Sequence, residues 1–516
     1  MGENVLARIL SATTWGIEAK VVEVEVDVGA GLPAFQIVGL PDAAVQESRE
    51  RVRSAIKNSG FSFPAQRVTV NLAPAFLKKS GSDFDLPIAL GILLATAQMK
   101  LAPSFSLSKL FLIGELSLSG EVKPVNGILP IAHFLSLQRK SSLLLLSLSN
   151  ATEGALVEGI KVFGFRHLGE IVDFLTGKVV RQPLVVEREN FFSFSSQGED
   201  LSDVKGQKRA KRALEIAASG GHHLLFIGPP GSGKTMLARR IPSLLPLLSL
   251  DEAIEVTKIH SVAGLLSPEQ PLVTERPFRA PHHTISDAAL IGGGQWPRPG
   301  EISLAHHGVL FLDEVLEFRR NVLETLREPL EMGKITVSRA QAIITYPARF
   351  ILVLACNPCP CGYLGDTQRV CTCSPRQVAQ YRSKLSGPLL DRIDLQVEVP
   401  RLEVSEVSVE RKEESSSEVR QRVERARAIQ RERFTGDRIM LNGDMKTMHL
   451  KKFCLLTKEA KKVLEDSVEK LALSMRAYHH ILKVARTIAD LEEEENIQIH
   501  HVAEAIQYRS LDRRWE

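Results

Sequence analysis

The sequence predicts a multidomain protein of the α/β class with a helical C-terminal part, and three stretches carry this prediction. Residues 21–28 alternate between valine and acidic side chains over most of their length, which is the period-2 pattern of a half-buried strand. The apolar run 224–227 leads into a glycine-rich loop and then into a helix-compatible segment. Residues 457–508 contain three amphipathic segments with helical spacing. At 516 residues, the chain is too long for a single hydrophobic core.

The composition excludes some partners and compartments. The formal net charge of +4 is too small to indicate a polyanion partner, so any nucleic-acid surface must be a local patch. No apolar run is long enough to span a bilayer, and the N-terminus lacks the pattern of a secretion signal. Six cysteines, five of them between Cys356 and Cys373, favour metal in a reducing compartment over disulfides. We therefore expect a cytoplasmic protein with no membrane partner.

Residues 1–178 are predicted to form an α/β domain, and the polar segment 179–199 is predicted to be a linker. Within this domain the apolar patterns predict strands at 21–28, 33–39, 67–72, 110–114 and 142–147, and helices at 43–59 and 85–97.

The glycine-rich loop is the clearest functional motif. It consists of Gly228, Pro229, Pro230, Gly231, Ser232, Gly233, Lys234 and Thr235. Glycines let the backbone turn its N–H groups toward phosphate oxygens, and the helix that follows adds positive potential. Lys234 is expected to reach the β- and γ-phosphates of ATP, and the Thr235 hydroxyl to hold Mg²⁺. The alternative is a chance glycine-rich turn, but the strand before it and the helix after it argue against that alternative.

Two further segments fit a nucleotide site. The apolar strand 308–312 ends in Asp313 and Glu314. We expect Asp313 to bind Mg²⁺ through water and Glu314 to polarise the attacking water. An ordinary acidic strand end is the alternative. Upstream, Val204 and Gly206 lie in a turn that leads into a predicted helix at 208–218, and this turn is expected to cover the adenine.

These motifs, together with the insertion Arg279-Ala280-Pro281-His282-His283-Thr284 before residues 289–294, resemble the AAA+ ATPases of the magnesium-chelatase and MCM branch. The resemblance implies a P-loop NTPase core with a parallel sheet at 200–400, containing a cysteine-rich insertion at 356–374. It also implies a charged helical segment at 401–440 and an α-helical lid at 441–516.

The same resemblance implies roles for three further residues. Asn357 follows the predicted strand 350–355 and is placed like the polar sensor of the γ-phosphate. Arg392 resembles the arginine finger that acts on a neighbouring subunit's nucleotide, with a local ion pair as the alternative. Arg476 matches the second-sensor arginine that contacts the nucleotide from the lid.

The N-terminal domain resembles the Lon-type protease domain, whose catalytic dyad is serine and lysine. The stretch 79–83 matches the nucleophile region, and 114–120 precedes that of the lysine. Asp83 and Leu129 stand at the two catalytic positions, and neither side chain can perform the chemistry required there. We therefore expect a domain that lacks the dyad and is not an active protease.

The Lon-like and AAA+ segments together are similar to the ComM/YifB family over essentially the whole chain. This resemblance implies a homo-hexameric ring motor that acts on single-stranded or branched DNA and promotes branch migration in natural transformation, with recombination proteins as further partners. One rival is a magnesium-chelatase-type ATPase that remodels a partner protein subunit. A non-catalytic scaffold is the other, and the presence of Glu314 and Arg392 argues against it.

DNA contacts are expected from a β-hairpin predicted between 334 and 345. Lys334 begins this hairpin and Arg339 lies near its tip, although an ordinary surface hairpin is equally compatible with the pattern. The charged stretch 404–433 is predicted to be a solvated helix, with a basic side that faces nucleic acid as the alternative.

The cysteine cluster predicts a structural Zn²⁺ site. Cys359 and Cys361 form one Cys-x-Cys hook, and Cys371 and Cys373 form a second. Four thiolates satisfy a tetrahedral zinc ion, although this spacing is tighter than the usual Cys-x-x-Cys. Redox-active or simply reduced cysteines are the alternatives.

Overall fold

In the computed structural model, the described residues are 6–77, 79, 81–192, 199–294, 297–339, 342–366, 368–402, 413–437, 439–471 and 473–509. The chain divides into two compact units. The first unit contains Met1–Ser193 and Ala253–Val273, and the second contains Phe194–Glu252 and Thr274–Glu516. Parts of the predicted linker (193–198), of the charged segment (403–412) and of the hairpin (340–341) lie outside the described residues.

The first unit is built on a seven-stranded mixed sheet with the strand order β3-β4-β2-β1-β5-β8-β9. Its strands, including a separate pair formed by β6 and β7, are β1 (Ala7–Trp15), β2 (Glu18–Gly29), β3 (Ala34–Val38), β4 (Arg67–Ala73), β5 (Leu110–Leu112), β6 (Glu115–Leu116), β7 (Val122–Lys123), β8 (Leu143–Ser147) and β9 (Lys161–Phe165). Its α-helices are Ala43–Asn58, Asp85–Ala95, Ile128–Gln138, Leu148–Ala155 and Leu168–Leu175.

The valine alternation of β2 explains how this sheet holds its core. Val24 pairs with Ile9 of β1 on one side and with Leu72 of β4 on the other, and all three side chains are buried. Alternate residues of a strand face the same side, so this register places one apolar row against the helices. The segment 253–273 packs with the same unit, where the Ser261 hydroxyl donates to the Glu153 carboxylate at 2.6 Å.

The second unit contains a five-stranded, entirely parallel sheet with the order β11-β14-β17-β10-β18. The strands of this unit, including two short antiparallel pairs, are β10 (Leu224–Ile227), β11 (Phe278–Arg279), β12 (Gly292–Gly293), β13 (Arg298–Pro299), β14 (Val309–Leu312), β15 (Lys334–Arg339), β16 (Ala342–Pro347), β17 (Ile351–Cys356) and β18 (Leu395–Glu398).

Helices surround this sheet and form the C-terminal region. They are Lys208–Gly220, Lys234–Arg239, Ile241–Leu244, Leu250–Ala263 (which crosses the boundary between the units), Asp287–Ile291, Glu301–Leu304, Arg320–Glu324, Arg327–Met332, Pro375–Arg382, Gly387–Leu390, Ser416–Arg433, Thr447–Phe453, Lys458–Leu471, Met475–Leu491 and Ile499–Gln507.

The central strands of the parallel sheet are buried along their whole length. Every residue of β10, β14 and β17 is buried, as expected for parallel strands that are covered on both faces. Because the strands are parallel, the carboxyl ends of β10, β14 and β17 meet at one edge of the sheet. The predicted α/β class with a parallel-sheet core and a helical C-terminal region is therefore confirmed.

Residues near Tyr508 cover the edge of this sheet that is formed by β18. The backbone N–H of Gln396, in β18, donates to the carbonyl of Tyr508 at 3.0 Å. Arg209 donates to the carbonyl of Gln507 at 2.8 Å, which holds the last helix against the helix Lys208–Gly220. No described helix is long and apolar enough to cross a membrane.

One helix differs from its prediction. The helix Ser416–Arg433 was expected to be solvated, but its residues Val419, Val423, Ala426 and Gln430 are buried. The reason is that Val419 and Val423 join the hydrophobic core of this unit, while nearby arginines pair within it. Arg422 pairs with Glu215 and Arg433 pairs with Asp490, so these charged side chains are compatible with burial of one face of the helix.

Candidate nucleotide-binding site

The phosphate loop, residues 228–235, connects β10 to the helix Lys234–Arg239 at the carboxyl edge of the sheet. Gly228 lies against another strand, because a Cβ built there would be 2.1 Å from the carbonyl oxygen of Val399. Gly233 caps the helix with a φ of 91°, a left-handed conformation that glycine adopts without steric cost. The loop therefore requires glycine at these two positions, and it presents a helix N-terminus to any anion.

Lys234 links this loop to the neighbouring strand. Its ammonium donates to the carbonyls of Gly228 and Pro229 at 2.7 and 2.9 Å and to the Asn357 amide oxygen at 3.3 Å. Burial lowers the pKa of this ammonium, while the charges of Cys356 and Asp313 act in the opposite direction. The structure thus brings the predicted phosphate-binding lysine and the predicted sensor Asn357 together.

The predicted magnesium and water residues lie beside the loop. The Thr235 hydroxyl donates to the Asp313 carboxylate at 2.6 Å, so the two predicted Mg²⁺ ligands are adjacent. Glu314 is held by its own N–H, which donates to Asp313 at 2.9 Å. Its backbone has a φ of 50°, which non-glycine residues rarely adopt and which is found preferentially at functional sites.

His283 is a residue of this site that the sequence analysis did not assign. Its Nδ1 lies 3.7 Å from the Glu314 carboxylate, and its ring approaches Phe318 edge-on. The histidine belongs to the insertion that follows β11, and the glutamate follows β14. Only the fold brings them together, since 30 residues of no regular spacing separate them in the chain.

The predicted adenine-covering turn also contacts the phosphate loop, but through a different residue. Val204 is buried, and the Gly206 N–H donates to Glu413 at 3.1 Å. The neighbouring Gln207 donates to the carbonyl of Pro400 at 2.7 Å and to that of Ser232 at 3.4 Å. Gln207 therefore joins the turn, the loop and the end of β18.

Arg392 and Arg476 lie at the opposite edge of the sheet from the phosphate loop. The N–H groups of Asp394 and Leu395, just after Arg392, donate to the carbonyl of His223, which precedes β10. β10 has four residues at about 3.3 Å each, and the phosphate loop follows its other end. Arg392 contacts Glu331, and Arg476 approaches the same carboxylate at 3.6 Å.

A cavity of about 1120 Å³ opens at this edge, and both arginines line it. Burial and the nearby Arg476 lower the pKa of Arg392. Within one chain, then, the structure places these two predicted sites away from the predicted phosphate contacts, and their roles remain predictions.

The cysteines predicted to hold metal converge at one point. The sulfur atoms of Cys359, Cys361, Cys371 and Cys373 lie within 4.8 Å of one another. Backbone N–H groups of Tyr363 and Thr372 lower the pKa of the Cys361 thiol to about 6, whereas burial and the neighbouring thiols raise the pKa values of Cys371 and Cys373. The arrangement is compatible with a bound Zn²⁺.

The hairpin of β15 and β16 places its two predicted DNA-binding residues far apart. Lys334 pairs with Pro347 at the base, and Arg339 pairs with Ala342 beside the tip. Both side chains are exposed, but the alternation of strand residues puts them on opposite faces. A Cβ at Gly293 would lie 3.0 Å from the Arg339 guanidinium, so this arginine approaches the insertion that contains β12.

Comparison with known families agrees with this geometry along the chain. Residues 200–407 match the family described as magnesium chelatase, subunit ChlI. Residues 24–150 match the family described as subunit ChlI of Mg-chelatase, and residues 413–509 match its C-terminal family.

Individual relatives match over nearly the full length. The competence protein ComM of Haemophilus influenzae is 45% identical over 515 residues, which covers 98% of both chains. The protein YifB of Salmonella typhimurium is 43% identical over 511 residues, again 98% of both chains. The magnesium-chelatase 38 kDa subunit of Cereibacter sphaeroides is 28% identical over 174 residues, which is 31% of this chain and 52% of the subunit.

The fold and the phosphate loop define a P-loop nucleotide-binding protein of the magnesium-chelatase-like AAA+ class, a class that implies ATP and Mg²⁺. Within this class, the chain belongs to the ComM/YifB family. The family assignment made from the sequence motifs is confirmed.

Proposed function

We propose that the protein is an ATP-hydrolysing ring motor that acts on DNA and promotes branch migration. The observation that carries the ATPase part is the meeting of Lys234, Thr235, Asp313, Glu314 and Asn357 at one edge of the sheet. These side chains supply a phosphate-binding cation, two magnesium ligands, a carboxylate to orient water and a polar contact for the γ-phosphate.

The position of Arg392 supports the ring. This arginine lies at the sheet edge opposite its own phosphate loop, so its guanidinium serves a nucleotide only if that nucleotide belongs to another subunit. An arginine that reaches the γ-phosphate from outside stabilises the charge that develops during phosphoryl transfer. Arg476 lies beside Arg392 and is proposed to act on the same neighbouring nucleotide. A closed homo-hexamer gives every subunit such a neighbour.

DNA is the proposed substrate of this ring. The exposed face of the hairpin carries Lys334 together with Thr336, Ser338, Ile343 and Thr345, and Arg339 lies exposed near the tip. Each hairpin offers little charge, but a ring repeats it around a central strand. The name of the ComM relative, a competence protein, supports a role in natural transformation, where branched DNA intermediates and recombination proteins meet.

A second candidate is a magnesium-chelatase-type ATPase that remodels a partner protein. The match to the chelatase 38 kDa subunit favours it, but this match covers 31% of the chain, whereas the ComM relative covers 98%. Zn²⁺ is proposed as a further cofactor, bound by the four clustered cysteines.

ATP turnover measured with and without a synthetic four-way junction tests the proposal, together with strand exchange on the same DNA. We expect the junction to raise turnover and the protein to move the branch point only when ATP is hydrolysed. If the rate of ATP turnover is the same with junction, single-stranded or duplex DNA as without DNA, the proposed DNA motor is contradicted. Stimulation instead by a chelatase partner subunit supports the second candidate.

A further inference from the structure

The sulfur atoms of the cysteine cluster have the separations that a tetrahedral metal site requires. With a zinc–sulfur bond of about 2.3 Å, two sulfurs at the corners of a tetrahedron lie about 3.8 Å apart. The observed separations are 3.4 Å for Cys359 and Cys361, 3.5 Å for Cys361 and Cys371, and 3.6 Å for Cys359 and Cys371. Cys373 completes the set within 4.8 Å.

Backbone groups around the cluster suit bound thiolates. The N–H of Cys361 donates to the sulfur of Cys373 at 3.4 Å, and the N–H of Cys373 donates to the sulfur of Cys371 at the same distance. Such hydrogen bonds orient sulfur ligands and offset their charge. In the loop between the two hooks, the Asp366 carboxylate accepts from the N–H of Gln368 at 2.7 Å.

This cluster adjoins the nucleotide site on two sides. Cys359 is fully buried and lies two residues after Asn357, the residue that accepts from Lys234. Gly362 directly follows the first hook, and it packs against Pro230 of the phosphate loop. A Cβ built on Gly362 would lie 2.7 Å from the Cδ of Pro230, so the backbone of Gly362 lies directly against the proline ring.

We propose that the four cysteines bind one Zn²⁺ per chain and that the metal-bound segment positions Pro230 and Asn357 for ATP hydrolysis. The metal site then supports the ATPase site directly, and does not only stabilise the fold at a distance from it. Zinc ties the segment 359–373 into a fixed shape, and that shape holds the phosphate loop from one side and the sensor strand from the other. The effect on turnover rests on the proposed function, but zinc binding does not.

Metal analysis of the purified full-length protein tests the first half. We expect about one zinc per chain, since four ligands make one tetrahedral site. The double variant Cys371→Ser and Cys373→Ser is expected to lose the metal, whereas Cys454→Ser, a buried cysteine beside Leu482, is expected to retain it. Folded wild-type protein without zinc, or with iron in its place, overturns the metal assignment.

Substitutions of two glycines test the positioning of Pro230 and Asn357 while zinc stays bound. Gly362 and Gly365 have nearly the same left-handed φ, 85° and 82°, but a Cβ at Gly365 would meet nothing within 4 Å. Both alanine variants therefore carry a similar backbone strain, and only Gly362→Ala disturbs Pro230. We expect Gly362→Ala to retain zinc and lose turnover by about 10- to 100-fold, the range that changes around the ligands of a metal site typically cause. Gly365→Ala is expected to keep both.

Affinity for a fluorescent ATP analogue separates this inference from the proposed function. A wild-type protein that turns over no ATP contradicts the ATPase, yet zinc content and the affinity difference between the two variants still report on the contact. Equal affinity and equal turnover in both glycine variants overturn the positioning role. Zinc-free cysteine variants that are folded and hydrolyse ATP at the wild-type rate overturn it as well.

Discussion

Glu314 is the residue on which the hydrolytic step is expected to depend. It stands in a left-handed conformation beside the Thr235–Asp313 pair, with His283 facing its carboxylate at 3.7 Å. The Glu314→Gln substitution keeps the size and removes the charge that orients water. We expect ATP turnover to fall by about 100-fold or more while ATP affinity stays near that of the wild type.

Lys234→Ala serves as the matched comparison, because it removes a phosphate contact instead of the water-orienting group. This variant is expected to lose affinity itself, which equilibrium binding of a labelled nucleotide measures. A Glu314→Gln protein that hydrolyses ATP at the wild-type rate would show that another group orients the water.

The residues of the motifs could be predicted from the sequence, but their contacts with residues distant in the same chain could not. The phosphate loop is a contiguous run whose geometry follows from its own glycines and lysine, and Asp313 and Glu314 follow an apolar strand. The contacts of His283 with Glu314 and of Gln207 with Pro400 join positions 31 and 193 residues apart. No local pattern in the sequence predicts these contacts.

The hairpin of β15 and β16 is the element where a DNA contact is tested. Its inward face carries the buried side chains of Ile335, Val337 and Tyr346, which the Arg339→Ala substitution leaves unchanged. We expect Arg339→Ala to weaken DNA binding and DNA-stimulated turnover while basal turnover and nucleotide affinity remain normal. Each lost phosphate contact also reduces the dependence of binding on salt, which fluorescence anisotropy at several salt concentrations measures.

Arg425→Ala is a charge-matched control, because Arg425 forms an exposed ion pair with Glu493 on the C-terminal side of the unit. It is expected to leave DNA binding unchanged. If the two variants lost DNA affinity equally, general charge or the basic side of the helix Ser416–Arg433, rather than the hairpin alone, would account for binding. Equal loss of basal and stimulated turnover in Arg339→Ala would instead assign the hairpin to support of the ATP site.

Elements were predicted well where apolar periodicity was strong and less well where charge dominated. Five strands of the first unit and the helices after residue 457 were predicted from their apolar patterns, whereas β1 and β9 were not predicted. The helix Ser416–Arg433 appeared solvated because its composition is charged. The carboxylates of Glu215 and Asp490, which pair with its arginines, are brought beside the helix only by the fold.

At the scale of the assembly, Arg392 provides the test of subunit cooperation. Arg392→Ala and Glu314→Gln are each expected to abolish most turnover. Mixing them restores some active sites, because a subunit with an intact Glu314 then meets a neighbour with an intact Arg392. We expect turnover to reappear in mixtures and to be highest near equal proportions.

The double variant, carrying both substitutions on one chain, is the control and is expected to restore nothing when mixed with the Arg392→Ala protein. No recovery at any mixing ratio would favour a local role for Arg392, in which its contact with Glu331 within one chain matters most.

The domain bounds inferred from the motifs stay predictions, and the packing of one segment was not part of them. The core was predicted as one stretch, 200–400, whereas residues 253–273 within it pack with the first unit. Composition does not change at these borders, so the sequence contains no signal for them. The hydrogen bond of Ser261 with Glu153 again joins residues that are distant in the chain.

The bond between Gln396 and Tyr508 has a consequence for synthesis on the ribosome. The edge strand β18 is made more than a hundred residues before its last hydrogen-bonding partner emerges. The first unit likewise lacks residues 253–273 until well after its own 193 residues have been translated. Domains usually fold as units in the order of translation. Here the first unit is still incomplete when residue 193 has been translated, and the second is incomplete until Tyr508 has been translated. A nascent chain interrupted before the final helix therefore lacks the hydrogen bond between β18 and Tyr508.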